Sequence, residues 1–160
     1  EGLELRGGLI GISVGGEARV HLVNNVLAWN AIGVVARGPS EIAMERNAIT
    51  GSATAGVMLL GESRATFRQN RITHNAGQGI VLSATADYSE GTAFCGSVLG
   101  ERNQVHDNAS GDLSPSHHEA WPVGFLDTAT GSTSGGKRIP AENQCHPLPS
   151  RDQVDPTPPA

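Results

Sequence analysis

Apolar and polar residues alternate with period two in short runs through the first hundred residues, and the runs recur at a fixed step. Ile12 and Val14, Val34 and Ala36, Val57 and Leu59, and Ile80 and Leu82 form one apolar stripe. Val20 and Leu22, Ile42 and Met44, and Ala65 and Phe67 form a second, with Val98 at the matching place one unit later. Leu27, Ile49, Ile72 and Val105 form a third. Period two over short runs bounded by Gly and Asn predicts strands. The segments "GISVGGEARVHLVNNVLAWN", "GVVARGPSEIAMERNAITGS" and "GVMLLGESRATFRQNRITHN" align without a gap. Their lead glycines, Gly11, Gly33 and Gly56, are 22 and 23 residues apart, and Gly79 follows after another 23.

Asparagines keep the same step. Asn25, Asn47 and Asn70 each fall 14 residues after their glycine, and Asn103 arrives ten residues late because of an insertion near residues 85–96. A second polar position recurs five residues further on, at Asn30, Ser52, Asn75 and Asn108. The expectation is a coil of three short strands per repeat, climbing roughly 4.8 Å each time. In such a coil the recurrent Asn would take the left-handed conformation at a bend, with its amide stacked on those above and below. The opening "GLELRGG" reads as the tail of a further, truncated unit, and the expectation is either further coils before Glu1 in the full-length protein or a cap ahead of Gly2 to Gly8.

The N-x-[IV] repeats at Asn25, Asn47, Asn70 and Asn103 resemble those of right-handed parallel β-helices, the pectate-lyase-like superfamily with its NosD-like and carbohydrate-active members. The resemblance covers Gly2 to Asn108 and implies an all-β fold. It implies a right-handed parallel β-helix of about four to five coils, three short strands per coil, with an irregular C-terminal extension. It does not specify a chemistry, since this architecture hosts many. The implied division is residues 1–108 as β-helix repeats, 109–147 as a capping or flanking segment, and 148–160 as a Pro-rich disordered tail.

Composition adds limits. The net charge of −5 is scattered, which argues against a nucleic-acid partner. Eight of the nine prolines follow Asn108, which sets the C-terminal third apart. No apolar run is long enough to span a membrane. Cys95 and Cys145 form no zinc or redox motif and would pair in an oxidising compartment, closing a long loop worth about 4 kcal/mol. In the cytosol they would stay free; the expectation is a chain that is secreted or in the envelope of a bacterium.

The outward residues are the candidates for function. On the second strand, Arg19, Glu41 and Arg64 form one column and Glu45, Arg68 and Glu101 another, each alternating in sign so that neighbours compensate. On the first strand the outward residues Val35, Met58 and Val81 are apolar, which predicts that something covers them. The segment "WPVGFLD", Trp121 to Asp127, is the favoured cover, with another subunit or domain as the alternative.

No outward column carries two adjacent acids with a free base, so no catalytic residue is assigned and no cofactor is expected. His117, His118 and Glu119 with His106 and Asp107 lack converging ligand geometry, so no metal site is assigned either. The residues left for ligand contact are Arg64, Arg68, Arg71, His74 and Glu101. Three functions remain open. One is a non-catalytic module or scaffold that binds a glycan or a protein. Another is a fragment of a lyase, epimerase or hydrolase acting on a uronate-containing polysaccharide. The third is a structural β-helix that self-associates end to end.

Overall fold

The computed structural model describes residues 1–83, 94–114, 116 and 121–127. All fourteen elements among them are strands, and three parallel sheets wrap one core. The first sheet contains β1 (Glu4–Arg6), β4 (Val26–Ala28), β7 (Ala48–Thr50), β10 (Arg71–Thr73) and β13 (Gln104–His106) in that order. The second runs β2 (Ile10–Val14), β5 (Ile32–Arg37), β8 (Ala55–Leu60), β11 (Gln78–Ser83) and β14 (Leu113–Ser114). The third runs β3 (Arg19–Val23), β6 (Glu41–Glu45), β9 (Arg64–Arg68) and β12 (Ser97–Glu101). The chain visits the second, third and first sheets in turn, giving four complete rungs with a partial rung at each end. No helix among the described residues is long and apolar enough to cross a membrane.

The register follows the repeat. Ile42 pairs with Val20 and Ala65, and Ile72 with Ile49 and Val105. All three stripes predicted from the periodicity point inward. Leu27, Val34, Ile49, Val57, Phe67, Ile72 and Ile80 are wholly buried in one interior cluster. Each such side chain contributes about 1.5–3 kcal/mol on burial.

The lead glycines are required by close packing. A Cβ at Gly33 would lie 2.4 Å from the Gly56 carbonyl oxygen and 2.6 Å from Ile49 Cγ2, and Gly11, Gly56 and Gly79 are as tightly bounded. The chain therefore passes from the first sheet to the second with no room for a side chain.

The asparagines behave differently from expectation. Asn25, Asn47, Asn70 and Asn103 are buried, and the left-handed residue is the one before each: Asn24, Arg46, Gln69 and Arg102, with φ between 52° and 56°. The same holds at the second polar position, where Trp29, Gly51, His74 and Asp107 take positive φ ahead of Asn30, Ser52, Asn75 and Asn108. The physical reason is that the amide has to point inward to serve two rungs. Asn70 Oδ1 accepts from the Asn47 backbone N–H and from Asn47 Nδ2, both at 3.0 Å. Its Nδ2 donates to the Met44 carbonyl at 2.9 Å and to Asn103 Oδ1 at 3.1 Å. A non-glycine residue in the left-handed region costs roughly 1–2 kcal/mol. The buried bonds of the amide behind it, about 1 kcal/mol each, offset that strain.

The C-terminal segment also differs from expectation. Trp121, Phe125 and Leu126 pack into the interior cluster and not over Val35, Met58 and Val81. Phe125 lies edge-on to Phe67 with ring centroids 5.5 Å apart, and it occupies the space left by the missing side chain of Gly100. Its carbonyl accepts from the Asn103 backbone N–H at 2.9 Å and from Asn103 Nδ2 at 3.0 Å. The segment thus closes the end of the core and terminates the amide ladder. Gly100, the register partner of Phe67, carries no side chain, and the Phe125 ring packs at that point of the last rung. Val35, Met58 and Val81 are themselves buried and form a second cluster with Ala55 and Leu60.

Candidate functional site

The outward face of the third sheet carries a shallow open groove of about 490 Å³, lined by Arg19, His21, Glu41, Arg64, Thr66 and Leu99 among others. Strand alternation puts these side chains outside while Val20, Ile42 and Ala65 turn in. Glu41 lies between two guanidiniums, with Arg19 Nε at 3.1 Å and Arg64 Nη1 at 3.7 Å. The first charged column therefore compensates itself as expected.

The second column does not. Glu45 pairs with Arg46, its neighbour in sequence, and lies 3.7 Å from His21. Arg46 is free to do this because its left-handed backbone turns the side chain back along the corner, where its Nε also donates to Asn24 Oδ1 at 3.0 Å. Arg68 and Glu101 are register partners but form no ion pair, and among the described residues Arg68 pairs with no other carboxylate.

Arg68 and Arg71 flank the corner formed by Gln69 and Asn70, one ending the third sheet and the other starting the first. Arg102 occupies the left-handed position one rung on, where the Gln69 N–H reaches the Glu101 carbonyl at 3.2 Å. All three arginines are exposed. None is in an ion pair among the described residues; of the two acids that are register partners of Arg68, Glu45 is held by Arg46 and Glu101 is not. The structure therefore brings Arg68, Arg71 and Glu101 to one corner, leaves Arg64 in the groove, and sends His74 to the next corner. Arg102 was missed from sequence. Its signal was its place in the column of Arg46 and Gln69, directly before a ladder asparagine.

At the next corner, His74 Nε2 lies 3.9 Å from Asp107 Oδ2, and His106 Nδ1 lies 2.8 Å from the same oxygen. The hydrogen bond with His106 holds the Asp107 carboxyl below the usual carboxylate range, with smaller help from the charges of both histidines. No group of three potential ligands converges on a metal position among the described residues. His117, His118 and Glu119 lie outside them, as do Cys145, residues 84–93 of the insertion and the tail 148–160.

Parallel rungs, an inward amide ladder and an aromatic end plug define a β-solenoid. The chain belongs to the right-handed β-helix family, whose model, "Right handed beta helix region", matches residues 1–122. A search of curated proteins found no match. Among solved structures, a double mutant of the periplasmic alginate epimerase AlgG is similar, with 17% sequence identity and a TM-score of 0.48. The match covers 69% of this chain and 34% of that one, so this chain spans about a third of its length.

Proposed function

We propose that this β-helix is a non-catalytic binding module, secreted or envelope-associated, that holds an anionic partner at the corner of Arg68, Arg71 and Arg102. The observation that supports it is the set of three exposed guanidiniums without ion pairs among the described residues, while Glu41 and Glu45 are engaged by other cations. Planar guanidiniums suit carboxylates and sulfates because they form paired hydrogen bonds. A uronate-bearing glycan repeats such groups along its length and would lie across successive rungs. An acidic protein surface would meet the same cations.

The alternative is a fragment of a polysaccharide lyase, epimerase or hydrolase with Arg64, Arg68 and Glu101 as its centre. The structure favours it less, because those three are divided between the groove and the corner. End-to-end self-association is disfavoured at one end, where Phe125 and Leu126 cover the last rung.

The test is calorimetric titration with oligogalacturonate and with an acidic peptide, alongside assays for unsaturated and reducing ends on pectin, alginate and hyaluronan. Binding that weakens with salt and is lost in the triple variant R68A/R71A/R102A, but not in R19A, is expected. Turnover that disappears in Arg68→Ala would replace this reading with the enzymatic one.

A further inference from the structure

Trp29 is the one exposed aromatic side chain among the described residues, at 66% exposure. It sits in the left-handed position of the second corner, with φ 59°. A Cβ on Gly51, one rung along, would lie 2.6 Å from Trp29 Cε3 and 2.9 and 3.0 Å from the two carbons bonded to it. A point so close to one ring carbon and nearly as close to both its neighbours lies above the ring plane. Beyond the ring edge those two distances would be much longer. The indole therefore rests face-down on Gly51 and shows its other face to solvent. Gly51 is the one glycine of the column Trp29, Gly51, His74, Asp107, and any side chain there would displace the ring.

The platform has polar neighbours in line. Because the indole reaches over Gly51, His74 is a single rung away, about 4.8 Å along the axis. Asp107 lies one rung further, with His106 hydrogen-bonded to it. His74 and Asp107 are well exposed, and the rings of His74 and His106 stand edge to face, 6.5 Å apart. An anchored flat aromatic followed by imidazole and carboxylate groups has the donors, acceptors and apolar face that a sugar ring presents in complement. A hexopyranose with equatorial hydroxyls shows an axial C–H face that stacks on an indole, while its rim hydroxyls need hydrogen-bond partners.

We propose that this corner is a carbohydrate-binding site for a β-linked hexopyranose glycan, with Trp29 stacking one ring and His74 and Asp107 bonding the hydroxyls of the next. The site is separate from the arginine corner and does not depend on it. Stacking places no demand on charge, so neutral glycans bind here.

Trp121 is buried and serves as an internal reference for fluorescence. The experiment is acrylamide quenching of the whole chain titrated with cellohexaose, chitohexaose and hexagalacturonate at millimolar concentration. Protection of the exposed tryptophan by at least one of the neutral oligomers is expected. Trp29→Ala should weaken binding, read by calorimetry, about tenfold or more, Trp29→Phe should retain part of it, and His74→Ala should weaken it without changing the Trp29 spectrum. Gly51→Ala, which tilts the indole off its seat, should weaken it with Trp29 still present. No protection by any oligomer overturns the proposal. So does protection that grows with protein concentration in the absence of sugar, which would mark Trp29 as a contact between copies. Calorimetric binding of hexagalacturonate alone, lost in R68A/R71A/R102A but kept in Trp29→Ala, also overturns it and leaves the arginine corner standing.

Discussion

Removing one amide from the ladder should cost more than removing any exposed side chain beside it. In Asn70→Ala the Asn47 backbone N–H loses its acceptor, one Asn47 Nδ2 proton loses its own, and the Met44 carbonyl loses a donor. Asn103 Oδ1 keeps the Asn70 backbone N–H at 2.9 Å and so remains satisfied. Asn70 is buried, so water does not readily replace the lost partners. Each orphaned buried group costs about 1–3 kcal/mol, so two or three of them give roughly 2–9 kcal/mol. That is a large part of the roughly 5–15 kcal/mol that holds an ordinary domain folded. Arg71→Ala, next in sequence and exposed, should change stability by less than about 0.5 kcal/mol. The assay is urea unfolding followed by circular dichroism, with both variants and the double variant N70A/N103A. Because the two amides share a bond, the double variant should lose less than the sum of the singles. An Asn70→Ala midpoint within error of Arg71→Ala would refute the view that the ladder holds the corners. Strict additivity with Asn103→Ala would refute its cooperativity.

Gly33→Ala should fail to fold or lose well over 3 kcal/mol, since its Cβ meets backbone on the next rung; soluble yield and thermal melting report it. Phe125→Ala should cost about 3–5 kcal/mol by opening a cavity at the end of the core, and urea unfolding measures it. Ser52→Asn should stabilise by about 0.5–2 kcal/mol, because the Ser52 hydroxyl is buried without a partner among the described residues and the neighbouring rungs carry Asn. Its thermal midpoint should rise. Asp107 should titrate below an ordinary aspartate in carboxyl NMR, and His106→Ala should bring it back up. Its folded pKa is depressed, so the stability it adds is present above the unfolded pKa and fades as pH falls through the folded one.

The strands, their register and the inward stripes were legible because period two and a 22- to 23-residue step leave one consistent stacking. The corner conformation was not. The left-handed residues are Asn24, Trp29, Arg46, Gln69, His74, Arg102 and Asp107, which share no chemistry that a single sequence can display. The amide ladder imposes that backbone from one residue away. The lead glycines were visible as markers of the repeat, but their reason, contact with the next rung's carbonyl, needs coordinates. Trp121 and Phe125 announced burial without saying on which side of the sheet. Their destination depends on the missing side chain of Gly100, which a count of apolar residues overlooks. The charged columns were correctly placed, yet Arg46 takes Glu45 from Arg68, a local pairing that strand register does not foresee.

The left-handed column at the second corner has a consequence for how such a surface can change. The residue that determines the bend is the buried polar one behind it, so the exposed position ahead of it carries no folding instruction of its own. It already accepts an indole, a bare glycine, an imidazole and a carboxylate on successive rungs. The corner is therefore a ruler with one interchangeable mark per rung, about 4.8 Å apart. A ligand with a repeating unit can be matched or rejected by rewriting those marks one at a time.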